Sequence, residues 1–394
     1  MLSDKSRPII EATLPVVGEN LPEITKRFYA RMFSARPELL DGVFSRANQK
    51  NGTQQQALAG SIAAFATTLV KNPGTLPEEV LSRIAHKHTS LGVVEEQYPI
   101  VYEHLFAGIV EVLGDAVTPE VAEAWSEVYW LMADALIKIE KGLYSEQANN
   151  KMWANWKVTA KEETGEGAYI FRLEPADDTP VTIAKPGQFV SVRVRLEDGL
   201  RQPRQYSLSE SIYSPNERVF TVKLDEGGEV SPFLHRNVNV GDVVELSNPY
   251  GDIILEEEET RPLIIATAGI GCTPSASILS ALAERNSDRE VLVLHADRHE
   301  GSWALKQQML ESIDKLPNAS IKVWLEDKNG SAESLEAFEG FMNLADVQLP
   351  ENANMVLCGP LPFMRAVRSA AIDAGVSAQR IQYEVFGPDL WLAA

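Results

Sequence analysis

Cysteine is nearly absent. Cys272 and Cys358 are the two in 394 residues, and they form neither a CxxC nor a spacing of metal-ligand type. A disulfide scaffold and a thiolate metal site are therefore not expected, and both residues read as reduced thiols of a cytoplasmic protein. Positive charge is also short: 36 Lys and Arg stand against 56 Asp and Glu, for a formal net charge of -20. Nucleic acid is not an expected partner, because phosphate contacts need clustered cations. No apolar run approaches the roughly 20 residues that span a bilayer, so membrane insertion is not expected. The opening MLSDKSRPIIEATLPVV is interrupted by acidic residues and prolines, unlike a signal peptide. Histidine is scarce too, six in all, yet three fall between Glu78 and Leu105.

What is present divides into three textures, and the length suits two or three domains. From residue 1 to about 147, apolar residues recur at three- and four-residue spacing, as in ITKRFYARMF and EVAEAWSEVYWLMADALIKI, which predicts helices throughout. Pro37, Pro73, Pro77 and Pro119 lie near the helix joins. From Trp153 to about Leu255 come short β-branched runs separated by turn residues: WKVTAKEE, AYIFRLE, QFVSVRVRL, RQYSLSE, RVFTVKL and DVVELS. These predict an antiparallel barrel or sandwich. From Arg261, PLIIATAG, EVLVLHAD, IKVWLED and ANMVLCG read as buried strands, mostly with helical stretches between, which predicts a parallel α/β sheet. The expected boundaries are 1–147, 148–258 and 259–394.

Several short stretches carry chemistry. IIATAGIGCTPSASIL is a strand, a glycine turn and a helix, in which Gly269 and Gly271 would let the backbone approach a pyrophosphate at a helix N-terminus. CGPLPFM is a second turn of that kind. RQYSLS brings together a guanidinium, an aromatic ring and a hydroxyl. Strand alternation puts Arg204 and Tyr206 on one face and Gln205 and Ser207 on the other. EGGEVSPFL places Gly227, Gly228 and Ser231 just before a short helix, a further phosphate cradle. Each motif alone is also compatible with an ordinary strand or tight turn. HADRHEGSW holds Asp297 and Arg298 where a ribose 2'-phosphate would be sensed, with opposite charges, so the nucleotide preference stays open.

Taken together and in order, RQYSL, PGQF, EGGEVS, AGIGCTP, CGP and YEVFGP resemble the ferredoxin-reductase family. The resemblance implies a FAD-binding barrel followed by a nicotinamide-binding α/β domain. It implies that Arg204, Gln205, Tyr206 and Ser207 contact the flavin and its phosphates. Gly227, Gly228, Val230 and Ser231 would lie along the FAD pyrophosphate. Gly269, Gly271, Thr273, Pro274, Cys358, Gly359 and Pro360 would face the nicotinamide nucleotide, and Glu384 and Phe386 the two ring systems.

His86 and His88 are two apart, so on a helix over Glu78–Ser90 they point about 200° away from each other. Leu81, Ile84, Ala85 and His88 share one apolar stripe; Glu79, Arg83 and His86 share a polar face. His88 is thus expected to face inward and His86 to be solvated. FYARMF, VFSRANQKNGTQQQAL, IAHKHTSLGVVEEQYPIVYEHL and LIKIEKGLY resemble the globin domain of flavohaemoglobins, over essentially all of residues 1–147. That resemblance implies a haem b whose iron is bound by His88, with Tyr98 and Glu140 as its proximal partners and Lys87 linking the cofactor edges. Tyr29, Gln54, Leu58 and Phe44 would line the haem pocket.

The activity so implied is a nitric oxide dioxygenase: nitric oxide and dioxygen give nitrate at a haem re-reduced by NAD(P)H through FAD. A monomer is expected. The alternatives are a flavin or ferric reductase with a regulatory globin domain, and a dioxygen or nitric oxide sensor or store.

Overall fold

The computed structural model describes residues 1–72, 74–210, 216–256, 258–328 and 337–391, and of Glu79 only the backbone. By compactness the chain forms two units. The first holds Met1–Trp153 with Arg193–Arg204 and the segment from Gly387 onward; the second holds Ala154–Val192 with Gln205–Phe386.

The first unit is helical, as the apolar spacing predicts: α1 (Ser6–Ala35), α2 (Arg46–Lys50), α3 (Thr53–Lys71), α4 (Glu78–Leu91), α5 (Tyr98–Leu113) and α6 (Pro119–Ser145). Phe28, Phe65, Leu81, Trp125 and Leu136 are buried in one core. Helix starts follow local chemistry. Pro119 occupies the first turn of α6, where its missing N–H costs nothing, and the Thr118 hydroxyl accepts from the Val121 N–H. Pro37 opens a short 3-10 turn and Pro77 caps α4; Pro73 lies outside the described residues. Pro15 and Pro22 fall inside α1 rather than at its end. Both rings are exposed, so the distortion that each proline forces faces water.

Two segments far apart in sequence belong to this unit. Asp41 accepts from the Arg201 backbone N–H at 2.8 Å and from its guanidinium at 2.7 Å, and the Gly42 N–H donates to the Arg201 carbonyl. The hydrogen bonds from Arg201 hold the Asp41 carboxyl below its ordinary range. Arg46 pairs with Asp198. Near the C-terminus, the Lys87 ammonium donates to the Gly387 carbonyl at 2.8 Å, and Arg83 lies 3.5 Å from Asp389.

The second unit contains two sheets. β1 (Ala154–Glu163), β2 (Ala168–Pro175), β3 (Phe189–Arg195), β4 (Arg201–Ser207), β5 (Arg218–Lys223) and β6 (Val243–Leu246) lie in the order β4-β3-β6-β1-β2-β5. The tip of the β3–β4 hairpin belongs to the first unit. β1 runs antiparallel to β2 and β6, and β2 antiparallel to β5. Just beyond β4, Leu208 bridges Phe220 of β5, and the Ser209 N–H donates to the Val219 carbonyl at 3.0 Å. The two ends of the sheet thereby meet, and the predicted barrel closes. β4 starts three residues earlier than RQYSLSE suggested. Pro203 within it is tolerated because β4 ends the strand order. α7 (Val230–Asn237) follows β5.

The other sheet, β10-β9-β8-β7-β11-β12, is parallel in every described pair. Its strands are β7 (Leu263–Ala268), β8 (Val291–Asp297), β9 (Ala319–Leu325), β10 (Ala337–Glu339), β11 (Asn354–Cys358) and β12 (Ile381–Glu384). α8 (Cys272–Glu284), α9 (Lys306–Asp314) and α10 (Leu361–Asp373) connect them. β10 and β12 are short edge strands that the apolar pattern does not announce. Among the described residues, no helix is long and apolar enough to cross a membrane.

Gly187, in the PGQF stretch, has φ +99, and a Cβ there would stand 2.4 Å from the Ile253 carbonyl oxygen. Gly187→Ala meets both backbone strain and a collision with main chain. It is expected to cost about 2–4 kcal/mol, read as a lower denaturation midpoint by circular dichroism. An unchanged midpoint would mean that the 253 carbonyl yields freely.

Candidate functional site

The chemistry in the first unit starts at Glu140. Its side chain is 3% accessible, and a buried carboxylate needs hydrogen-bond donors. The Tyr98 hydroxyl donates to its Oε1 at 2.6 Å, and Nδ1 of His88 lies 2.8 Å from the same oxygen. A carboxylate oxygen accepts in this contact, so Nδ1 is the nitrogen that donates and Nε2 is turned away from it. The Tyr98 oxygen is also 3.2 Å from Nδ1. Burial, and then the charge of Glu140, push the Tyr98 phenol far above its ordinary pKa, so it stays a donor.

His88 is placed by its helix as well. α4 ends in Gly92 at φ +77, a left-handed residue that turns the chain so that the Val93 N–H reaches the His88 carbonyl at 3.0 Å. The ring remains 33% accessible, and among the described residues Nε2 has no hydrogen-bond partner. The expected stripe is present: Leu81 and Ala85 are buried and Ile84 packs on the core. The expected polar face needs correction. His86 is half-buried and engaged rather than freely solvated, and Arg83 is only 11% accessible because Asp389 covers it. The Glu79 side chain lies outside the described residues.

Tyr29 is 5% exposed and hydrogen-bonded to the side chain of Gln54. Burial raises its phenol pKa, so this hydroxyl too stays protonated. Its ring lies 5.6 Å from Phe33 and 6.1 Å from Phe44, which meets Phe33 edge-on at 5.2 Å. Gln54 and Leu58, one turn apart on α3, are both half-buried. Sequence reasoning overlooked Tyr129, whose hydroxyl donates to the Tyr98 carbonyl at 2.6 Å. It stands eleven residues before Glu140 on α6, about 20° away around the helix, and that spacing was the available signal.

In the second unit, Gln205 donates to the Ser191 hydroxyl at 3.2 Å while Tyr206 stacks on Phe220 at 5.6 Å. Arg204, in the first unit, donates to its own neighbour's carbonyl, Pro203, and Ser207 is buried. The loop before α7 is ordered by Asp225, which accepts from the Gly227 N–H; the Asp225 N–H donates to the Ser231 hydroxyl. A Cβ at Gly228 would stand 3.2 Å from Asp225, a tight contact. Val230 is fully buried.

At the parallel sheet, Gly269 takes φ +54 and has open space about it, as a ligand-facing turn requires. Gly271 differs from the expectation: a Cβ would lie 2.3 Å from the Cys358 carbonyl oxygen, so this glycine permits the close approach of β11 rather than of a ligand. Gly359 is confined likewise, by Phe363 at 2.8 Å and Ala268. The Thr273 hydroxyl turns back to the Ile270 carbonyl, and Pro274 is buried. Cys358 pairs in register with Glu384 across β11 and β12. Glu384 is buried and accepts from the Val385 N–H, Pro360 is exposed, and Phe386 is 46% exposed. Both thiols are buried, and burial pushes Cys272 up to about 12, in keeping with unreactive reduced thiols.

The residues fit the groups that their patterns imply. A single imidazole with a fixed tautomer and a second nitrogen lacking a partner suits an axial haem ligand. Among the described residues, no cluster of three or more His, Cys, Asp or Glu could hold a bare metal ion. A helical N-terminal region with such a histidine, joined to a barrel and a parallel nucleotide-type sheet, defines a globin fused to a flavin- and nicotinamide-dependent reductase module. Comparison with known proteins agrees. Residues 26–136 match the globin family, 155–254 the oxidoreductase FAD-binding domain and 264–369 the oxidoreductase NAD-binding domain. The chain is 42% identical to a flavohemoprotein of Chromobacterium violaceum, across 98% of both chains. It is 41% identical to one of Bordetella pertussis, across 98% of this chain and 99% of the relative. A crystal structure of flavohemoglobin from Malassezia yamatoensis, with bound FAD and heme, covers 98% of this chain and 100% of its own at 43% identity and a TM-score of 0.92. The chain belongs to the flavohemoprotein family.

Tyr98→Phe leaves the buried Glu140 with one donor fewer. It is expected to cost about 1–2 kcal/mol, read as an earlier unfolding midpoint of the helical unit by tryptophan fluorescence. Unaltered unfolding would remove Tyr98 from the support of Glu140.

Proposed function

We propose that this flavohemoprotein is a cytoplasmic nitric oxide dioxygenase that consumes nitric oxide and dioxygen and draws its electrons from NAD(P)H. The observation that carries the reading is the hydrogen bond of 2.8 Å between His88 Nδ1 and the buried Glu140. It would leave Nε2 of His88 as the ligand atom, with a carboxylate behind the ring, an arrangement suited to turnover more than to carriage. A structure of the FAD/NAD-binding domain of a nitric oxide dioxygenase from Vibrio cholerae is 36% identical to this chain, covering 60% of it at a TM-score of 0.55. Haem b would supply the one-electron centre where the two gases react, FAD the conversion of two electrons to single ones, and the nicotinamide the hydride.

The residues divide that work. His88 binds through Nε2 while Glu140 holds the Nδ1 proton and Tyr98 holds Glu140. Tyr29 and Gln54 would offer hydrogen-bond donors to dioxygen, and Leu58 and Phe44 would exclude water. Arg204, Gln205, Tyr206 and Ser207 would hold the flavin and its phosphates, with Gly227, Gly228, Val230 and Ser231 along the pyrophosphate. Gly269, Thr273, Pro274 and Cys358 to Pro360 would hold the nicotinamide nucleotide, and Glu384 and Phe386 would lie near the two ring systems. Lys87 lies next to the ligand histidine, where a cation favours electron arrival. The domain limits that go with this reading are 1–147, 148–258 and 259–394, in a monomer.

The overall reaction turns two nitric oxide and two dioxygen into two nitrate and a proton for each NAD(P)H oxidised. Purified protein supplied with all three substrates is expected to form nitrate in that ratio; NAD(P)H consumption without nitrate would favour a reductase. His88→Ala is expected to abolish stoichiometric uptake of hemin, followed by the Soret band, while flavin absorbance is retained. Full hemin uptake by that variant would refute the ligand assignment. Tyr29→Phe is expected to speed dioxygen release by about tenfold, as the loss of one hydrogen bond to a charged acceptor implies; unchanged release in stopped-flow absorbance would take Tyr29 out of the site.

A further inference from the structure

Lys161, on β1, is a half-buried cation that no carboxylate claims. Its ammonium donates to three main-chain carbonyls at the end of α7: His235 at 2.6 Å, Val238 at 2.9 Å and Leu234 at 3.2 Å. Among the described residues it makes no ion pair, and burial alone shifts its pKa, downward. It also stands over two rings of β2, 4.9 Å from the centre of Tyr169 and 5.5 Å from that of Phe171, its partner in strand register. The last carbonyls of a helix have no partner within it, and the negative end of its dipole lies there. Lys161 answers both.

The same helix end is tied elsewhere. Nε2 of His235 lies 2.9 Å from the Val222 carbonyl of β5, and its ring meets Tyr169 edge-on at 4.9 Å. Arg236 pairs at 2.6 Å with Glu226, in the loop that leads into α7. Val230 and Ser231 start the helix straight after that loop, and both are buried. A helix of eight residues is a rod of about 12 Å. Pinning its last turn therefore sets the direction of its first N–H groups, the ones that favour phosphate. A second line of contact runs through the rings. Phe171 stacks on Phe220 at 5.6 Å, and Phe220 stacks on Tyr206 at 5.6 Å. One ammonium thus backs both features assigned above to FAD.

We infer that Lys161 is a positioning residue for FAD: by tying the last carbonyls of α7 to β1 and β2, it aims the first turn of that helix at the pyrophosphate. The inference rests on the placement of FAD at Tyr206 and at residues 227–231 proposed above. Lys161 acts through α7 and through the rings of β2, not by touching the cofactor.

Fluorescence titration of the flavin-free full chain with FAD tests this without turnover. Lys161→Met keeps the length of the stem and removes the ammonium. It is expected to weaken FAD by about tenfold, the size of a lost charged contact at a helix end. Lys161→Arg, which can donate to the same carbonyls, is expected to stay within about threefold of the unaltered chain. A side chain needed only for packing would show the reverse order, with methionine tolerated and the bulkier arginine not. Circular dichroism checks that each variant is folded, and Lys161→Gln replaces Lys161→Met should methionine disturb folding. Unchanged FAD binding by Lys161→Met, or equal losses with methionine and arginine, overturns the inference. Tyr206→Ala separates it from the reading beneath it. Normal FAD binding by Tyr206→Ala sinks the placement of the flavin, and this inference with it; weakened binding there beside an unaffected Lys161→Met sinks this inference alone.

Discussion

A buried carboxylate cannot be left without donors, and Glu140 recruits its donors from two other helices. That requirement sets the rest of the helical unit. Tyr98 must present its hydroxyl at the start of α5, and His88 must present a protonated Nδ1 from the last turn of α4. Gly92 then reverses the chain, and Tyr144 holds the returning segment through the Val93 carbonyl at 2.6 Å. With Nδ1 committed, the imidazole has one chemistry left, donation from Nε2. A hydrogen bond from Nδ1 to the buried carboxylate thus orients the imidazole ring.

Much of this was legible in the sequence because helical spacing is a local property. The 3.6-residue period separates His88 from His86, and it puts Gln54 beside Leu58. The six barrel strands and the four long parallel strands were likewise visible as apolar runs between turns. What was not legible depends on partners distant in sequence. Arg83 falls on the polar side of α4 by spacing, yet Asp389 buries it. Pro15 and Pro22 look like helix breakers, but α1 runs on because both prolines face water. β10 and β12 are too short to show a period.

Side-chain direction at the site was the least readable feature. Gly271 and Gly269 are equivalent in the string AGIG. In the structure Gly269 opens toward free space, and Gly271 lets the Cys358 carbonyl approach to a distance that no side chain allows. The two glycine turns that end β7 and β11 therefore pack directly against one another. Asp297 and Arg298 pose the same problem: adjacent residues of opposite sign, of which Asp297 is buried against the Ser302 hydroxyl and Arg298 is exposed.

The sequence also suggests three blocks laid end to end, whereas compactness joins Arg193–Arg204 and the segment from Gly387 onward to the helical unit. Exposed ion pairs rarely hold such an arrangement, since each contributes at most about 1 kcal/mol. The contacts here are of another kind. Arg201 binds Asp41 through both its backbone and its guanidinium, and Gly42 closes a main-chain bond to the same residue. Arg83 and Asp389 are 11% and 16% accessible, so their contact is largely shielded from water. For such a pair the cost of separation exceeds the worth of the contact itself, and the helix that carries His88 keeps its C-terminal cover for that reason.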